Sequence, residues 1–373
     1  MDSKSQATIP FSEALKFWFK LGFISFGGPA GQIAIMHKEL VEEKRWISEK
    51  RFLHALNYCM VLPGPEAQQL AIYIGWLLHR TWGGMVAGIL FVLPSLFILI
   101  GLSYVYVVFG HVAWVAALLY GIKPAVAALV VQAVHRIGSK TLKTPATAPL
   151  LWGVAVMSFF ALYFLSLPFP LIVIAAAFIG LLGAKLAPEQ FSSTTGHALK
   201  QSALGATISA VIDDNTPTPE HALFKKSRFA TVVAVGAVLW LVPMSALIAY
   251  QGWSGALTQM AWFFTKAALL TFGGAYAVLP YVYQGAVEQF TWLSGAQMID
   301  GLALGETTPG PLIMVVSFVA FVGGYAKALF GPEHLFMAGA TAAALDTFRL
   351  STLGEIGSFA SSSQCASVFW RMP

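Results

Sequence analysis

Phe26-Gly27-Gly28 interrupts an apolar run, and Phe272-Gly273-Gly274 interrupts another 246 positions later. The register is shared well beyond the triplet. Phe17, Lys20, Trp46, Ser48 and Pro63-Gly64-Pro65 fall on Phe263, Lys266, Trp292, Ser294 and Pro309-Gly310-Pro311 with no gap across 49 residues. Tryptophan and a Pro-Gly-Pro triplet are too rare for this to be coincidence, so the chain is a duplicated unit. Each copy places one apolar segment broken by Gly-Gly before a second broken by Pro-Gly-Pro. Glycine opens backbone angles closed to other residues, and proline removes a donor and clashes with the preceding turn, so both breaks stop a helix.

Composition decides the solvent. The chain is 57% hydrophobic and 10% charged, against about 25% charged in a soluble domain. Runs such as 83–108 and 229–250 are long enough for a hydrocarbon core of about 30 Å. These features predict an all-α integral membrane protein. The net charge of +5 does not imply nucleic acid, because the basic residues sit in short loops between apolar runs, where they set orientation. Cys59 and Cys365 lack partner spacing, the eight histidines form no ligand pattern, and no phosphate-binding Walker sequence is present. No cofactor or metal is expected, and the clustered catalytic set that a membrane enzyme requires is missing. The N-terminal twenty residues have no signal-peptide pattern and read as mature protein.

Between the copies lie five apolar spans, at 83–108, 112–134, 149–166, 170–187 and 229–250. An odd number turns the second copy over. Loop charge agrees: 37–51 carries Lys38, Lys44, Arg45, Lys50 and Arg51, whereas its counterpart 282–296 carries no lysine or arginine. Positive loops stay in the cytoplasm, so the halves are expected to be inverted. The expected organisation is a first repeat over 1–187, a polar cytoplasmic linker over 188–228 and a second repeat over 229–373. If the broken segments are re-entrant hairpins, the stretch with Arg136, Lys140 and Lys143 also lies inside, and this is the preferred arrangement. The tail after Gly339 departs from the first copy. It carries Asp346, Arg349 and Glu355 where the first copy continues apolar, and it reads as a truncated or altered half.

A helix broken at membrane depth is tolerated only inside protein or beside a watery cavity. Paired breaks at matching places in two halves point to a transporter's substrate site. Each new helix start offers unpaired N–H groups and a partial positive charge, which suits an anion. The candidate lining is Phe26, Gly27, Gly28, Pro63, Gly64 and Pro65 with Gln68 from the first copy, and Gly273, Gly274, Thr307, Thr308, Pro309, Gly310 and Pro311 from the second. Helix ends contribute only about 0.3–2 kcal/mol each, too little to dehydrate a dianion. Lys20 and Lys266, matched in the two copies, are therefore candidate ligands, with snorkelling to the headgroups as the alternative. Glu66, Asp300 and Glu306 near the breaks are candidates for proton coupling.

These same residues carry a resemblance. "FGGPAGQIAIMHKELVEEKRWISEKRFLHALNYCMVLPGPEAQQLAIYIGW" resembles the N-terminal signature of the chromate ion transporter family. "TFGGAYAVLPYV" and "DGLALGETTPGPLIMVVSFVAFVGGY" resemble its C-terminal signature. The likeness covers about residues 10–340, in the long-chain, two-domain form of the family. It implies a multi-pass inner (plasma) membrane protein that exports chromate, confers chromate resistance and uses the proton-motive force. Sulfate is a near isostere, so uptake or exchange of sulfate or another tetrahedral oxyanion is the alternative, with a passive anion channel behind it. The expected partners are chromate or sulfate and membrane lipids, and a homodimer is open.

Overall fold

The computed structural model describes residues 9–349 and 351, apart from 61, 143, 146, 187–209, 215, 218, 223, 224, 272–274 and 350. Every regular element among the described residues is helical, and a single isolated bridge joins Ile47 to Ile212. Among the described residues, four helices are long and apolar enough to cross a membrane. With the family assignment below, this makes the chain a multi-pass membrane protein. The chain divides into one compact unit of residues 1–118 with 209–373 and a second of 119–208.

The first unit opens with α1 (Phe11–Ile24), α2 (Gly28–His37) and a π-helical turn (Lys38–Glu43), followed by α3 (Glu49–Cys59) and α4 (Glu66–Phe109). The α1–α2 break folds the chain back on itself. Lys20, four residues before the end of α1, pairs with Glu39 at 2.6 Å, and the rings of Phe17 and Trp46 lie 5.2 Å apart. A continuous helix rises about 1.5 Å per residue, so residues this far apart in sequence meet only if α1 and α2 form a hairpin. Gly27 and Gly28 make the tip, at φ +86° and +66°. The α3–α4 break folds back as well. Tyr58 and Tyr73 sit 5.8 Å apart across Pro63-Gly64-Pro65, and Gly64 has φ +126°.

α4 itself is two antiparallel arms, 66–78 and 81–109, joined at His79 and Arg80, whose backbone is non-helical. A Cβ added to Gly75 would lie 2.6 Å from the carbonyl oxygen of Gly83. In lipid, apolar burial gives no advantage over the acyl chains, and small residues that let backbones approach hold helices together. Gly22 of α1 does the same against the second arm, where a Cβ would lie 2.1 Å from the Leu90 carbonyl oxygen.

The rest of the first unit repeats this plan. α8 (Lys226–Gln251) leads into α9 (Ala256–Leu270), a 3-10 turn (Ala275–Val278), α10 (Leu279–Tyr283), a π-helical turn (Gln284–Gln289) and α11 (Gly295–Thr307). A 3-10 turn (Leu312–Met314), α12 (Val315–Ala326) and α13 (335–349) follow. The correspondence reaches single backbone groups. Arg45 and Thr291 both have positive φ, at 54° and 49°. Trp46 donates its N–H to Leu40 O and Trp292 to Ala286 O, each at 2.8 Å. Ser48 and Ser294 both cap the following helix. Fold-back recurs too: Phe263 stacks on Tyr281 at 4.8 Å, and Gly301 packs on the Phe318 ring. The tail, read from sequence as an altered half, forms α13 to residue 349. There Gly324 of α12 and Ala338 and Ala342 of α13 make a close small-residue crossing. Residues 352–373, with Glu355, lie outside the described residues.

The end of the expected linker is not merely a tether. Val211 and Ile212 donate to the carbonyls of Arg45 and Trp46, and Ser48 N–H donates to Ile212 O. Arg51 donates to the carbonyls of Asp214 and Thr216, and the His221 ring meets the Trp76 carbonyl at 3.0 Å. The second unit contains most of α5 (Ala113–Thr141), α6 (Pro149–Tyr163) and α7 (Phe169–Leu186). α6 and α7 expose apolar side chains such as Met157, Phe159, Leu181 and Leu186, as helices facing acyl chains do.

Candidate substrate site at the crossed hairpin tips

The site forms where the helix breaks of the two copies meet, and the backbones beside those breaks pair crosswise. Gly64 N–H, in the Pro-Gly-Pro tip of the first copy, donates to Thr271 O at 2.7 Å, the residue before the second Phe-Gly-Gly. Gly310 N–H, in the Pro-Gly-Pro tip of the second copy, donates to Ser25 O at 2.8 Å, the residue before the first. The acceptors match in detail. Ser25 and Thr271 each end a helix at φ −80°, and each hydroxyl donates to the carbonyl four residues back, Leu21 and Ala267. Two unwound carbonyls and two unwound amides, orphaned by the breaks, satisfy one another between copies.

Further polar groups gather here. Gln32, buried on α2, donates its amide to the carbonyls of both Ser25 and Gly310, tying the two copies a second time. The tip at Gly310 presses on the second arm of α4: a Cβ there would lie 2.6 Å from Ser95 Cβ and 2.9 Å from Ser95 Oγ. Ser95 Oγ, Gln68 Nε2, Gln32 Oε1 and Gln69 Oε1 are buried and make no hydrogen bond to any described residue. Unsatisfied buried groups of this kind mark places where water or a ligand completes the bonding. Tyr276 donates to Glu306 at 2.6 Å, and a Cβ on Gly28 would lie 3.6 Å from the Tyr276 hydroxyl. Thus Gly28 of one copy and the Tyr276–Glu306 pair of the other meet.

The sequence-derived candidates are distributed unevenly over this geometry. Gly27, Gly28, Gly64 and Gly310 form tips with positive φ. Pro65 and Pro311 are the extended residues that begin α4 and the turn before α12. Glu66 and Gln68 are buried in the first turn of α4. Gln69, beside them, donates to Pro63 O at 2.7 Å, and Thr307 and Thr308 donate to carbonyls one turn back, so these three mend broken backbone. Phe26 is 47% exposed, and Pro309 is buried. Asp300 accepts from Tyr106 at 3.0 Å, on α11 against α4. Gly273 and Gly274 lie outside the described residues. The lysines are not brought to the tips. The Lys20 side chain is 58% exposed and engaged by Glu39, and Lys266 is exposed with its ammonium 5.9 Å from the Trp262 ring. Both lie on outward faces because the hairpin buries Phe17 and Trp18 of α1 and Phe263 and Phe264 of α9.

Sequence reasoning missed Gln32, Ser95 and Tyr276. Gln32 falls on Val278 in the other copy, and Ser95 lies beyond the 49-residue matched stretch, so the repeat gave no signal. Their isolation as polar residues in apolar surroundings was the available clue. Chemically the tips offer helix N-termini, neutral amides and hydroxyls, with Glu66 and Glu306 as the acidic groups. No group of three or more metal-ligating side chains occurs among the described residues.

A family model described as chromate transporter matches residues 12–181 and 258–364. The chain belongs to the chromate transporter family. It is a transporter and not an enzyme. The match runs past residue 340, so the tail that departs from the first copy lies largely inside the family pattern. A "Chromate transport protein" of Pseudomonas aeruginosa is 33% identical over 87% of this chain and 70% of its own length. A "Probable chromate transport protein" of Synechococcus elongatus is 29% identical over 86% and 72%. A "Chromate transport protein" of Cupriavidus metallidurans is 28% identical over 88% and 73%. No solved structure matches the chain.

Proposed function

We propose that this protein exports chromate across the inner membrane by secondary active transport, driven by the proton-motive force, and so confers chromate resistance. The cargo follows the relatives named for chromate transport. The observation that carries the mechanism is the crossed pair of bonds, Gly64 to Thr271 and Gly310 to Ser25. A reciprocal pair of this kind is what a two-fold relation between the copies produces. With a basic loop at 37–51 and an uncharged-to-acidic one at 282–296, it supports inverted repeats over 1–187 and 229–373. The basic loop and the 188–228 linker then face the cytoplasm. The hairpins enter from opposite sides and meet near the midplane, where inverted-repeat transporters place their cargo.

The oxyanion sits against the helix starts at Gly28, Glu66 and Leu312, with Gln68 and Ser95 as neutral donors. Helix ends at about 0.3–2 kcal/mol each do not replace a dianion's hydration. The cargo therefore keeps part of its water. Alternating access follows when one pair of tips rocks against the other and breaks one of the crossed bonds.

The test is uptake of radiolabelled chromate into everted vesicles, with and without an uncoupler and with excess sulfate. Uncoupler-sensitive chromate accumulation that sulfate weakly inhibits is expected. Flux that persists after gradient collapse replaces the carrier by a channel, and complete block by sulfate with matching sulfate uptake changes the cargo.

A further inference from the structure

The tail helix α13 buries two charged residues one turn apart. Asp346 and Arg349 are 0% and 2% exposed. Among the described residues, neither carboxylate oxygen of Asp346 has a hydrogen-bond partner, and Arg349 Nε and Nη2 have none either. Arg349 Nη1 makes two long contacts, to Met244 Sδ on α8 and to Ala261 O on α9, each at 3.5 Å. Its guanidinium lies 5.9 Å from the Trp240 ring of α8.

Buried charges retained for structure saturate their donors and acceptors, because desolvation otherwise outweighs attraction. Here four polar atoms are left without a hydrogen bond among the described residues. Few other charges surround Asp346 and Arg349. Arg349 is the charged group that acts on Asp346. α12 carries no acidic or basic residue and has Tyr325, near its end, as its one titratable group. α9 carries Lys266, which is exposed over Trp262. The cations of α8, Lys226 and Arg228, are in its first turn. Asp346 therefore has two states open to it: ionised beside Arg349, or neutral with a proton taken from water and later returned.

The pair is joined mechanically to the tips. Thr347, between the two charges, shares a hydrogen bond of 3.1 Å with Ser317 of α12. Ser317 is six residues after Pro311, at the end of the tip that bonds Ser25. A change of charge on α13 thus acts on the hairpin that carries one of the crossed bonds.

We propose that Asp346 is the proton-accepting residue that couples proton movement to transport at the tips, with Arg349 stabilising its ionised form. The proposal rests on the transport reading above. In each cycle the carboxylate takes one proton from the side to which it is open and releases it to the other, with no bond to the cargo.

The experiment measures two activities of the full chain in proteoliposomes: chromate uptake driven by an imposed pH gradient, and chromate counterflow with no gradient. In Asp346→Asn, driven uptake should fall at least about tenfold while counterflow stays within about twofold, since only the proton-linked step is lost. Driven, uncoupler-sensitive uptake at the wild-type level overturns the proposal. Loss of both activities at wild-type abundance overturns it too, by making Asp346 structural. Asp346→Glu covers the case in which the amide variant fails to fold. It keeps a carboxyl in altered surroundings, so its driven uptake should persist with a shifted pH profile, and an unshifted profile argues against the role. Wild-type protein that moves no chromate in either assay fails the transport reading itself, independently of the variants.

Discussion

Gly310 donates its backbone N–H to Ser25 O at 2.8 Å while its α-carbon faces Ser95, leaving no room for a side chain. The same residue thus joins the two copies and closes the tip onto α4. Its φ of +105° suits only glycine.

Gly310→Ala should destabilise the protein by at least about 2 kcal/mol, from overpacking against Ser95 added to backbone strain. Gly27→Ala meets nothing nearer than 3.7 Å, so it should cost only about 1 kcal/mol of strain. Thermal unfolding in detergent checks the order. Equal melting temperatures would contradict the close packing of the Gly310 tip.

Ser95→Ala removes a hydroxyl that bonds nothing within the described protein. Folding should be unaffected, and KM for chromate should rise about fivefold to tenfold, the effect of one hydrogen bond of about 1–1.4 kcal/mol. An unchanged KM in vesicle uptake removes Ser95 from the cargo's surroundings.

Lys20 and Glu39 test the position of the lysines. Lys20→Ala alone strands Glu39, whose side chain is only 12% exposed, so it should cost more stability than the double variant with Glu39→Gln. The double variant should retain chromate export at equal abundance. Loss of export there would return Lys20 to the substrate path.

His221 in the docked linker predicts acid sensitivity. Burial, and then Arg80 and Arg228 nearby, lower its pKa below the ordinary value, while its bond to Trp76 O opposes them. The unfolded segment therefore binds protons more readily as pH falls. Docking is fully stabilised above about pH 6.5, the usual histidine value, and is lost as pH drops through the depressed folded value. Limited proteolysis within 188–228 should accelerate at pH 5.5 relative to pH 7.5, and His221→Asn should flatten that difference. A pH-independent rate in the native protein would count against it.

The duplication, the breaks at Phe26-Gly27-Gly28 and Pro63-Gly64-Pro65, and the membrane environment were legible because each follows from local chemistry. Glycine and proline stop helices wherever they stand, and apolar length is counted along the chain. The repeat even carried detail, since Ser48 and Ser294 cap helices in both copies. Lys20 shows the limit: its position in the repeat is plain in sequence, but the face it occupies depends on which side of α1 the hairpin buries. Gln32 and Ser95 stood out only as isolated polar residues, since the Gly310 tip that each of them meets lies far along the chain.

By itself, then, the sequence determined where helices stop, that the unit occurs twice and that lipid is the solvent, since these depend on residues close together in the chain. Only the tertiary structure decided that the breaks fold back and that Gly64 and Gly310 bond across the copies. It also decided that Asp346 and Arg349 are buried together between helices. Those outcomes depend on how orphaned backbone groups and stranded charges find partners far along the chain, once no water is there to satisfy them.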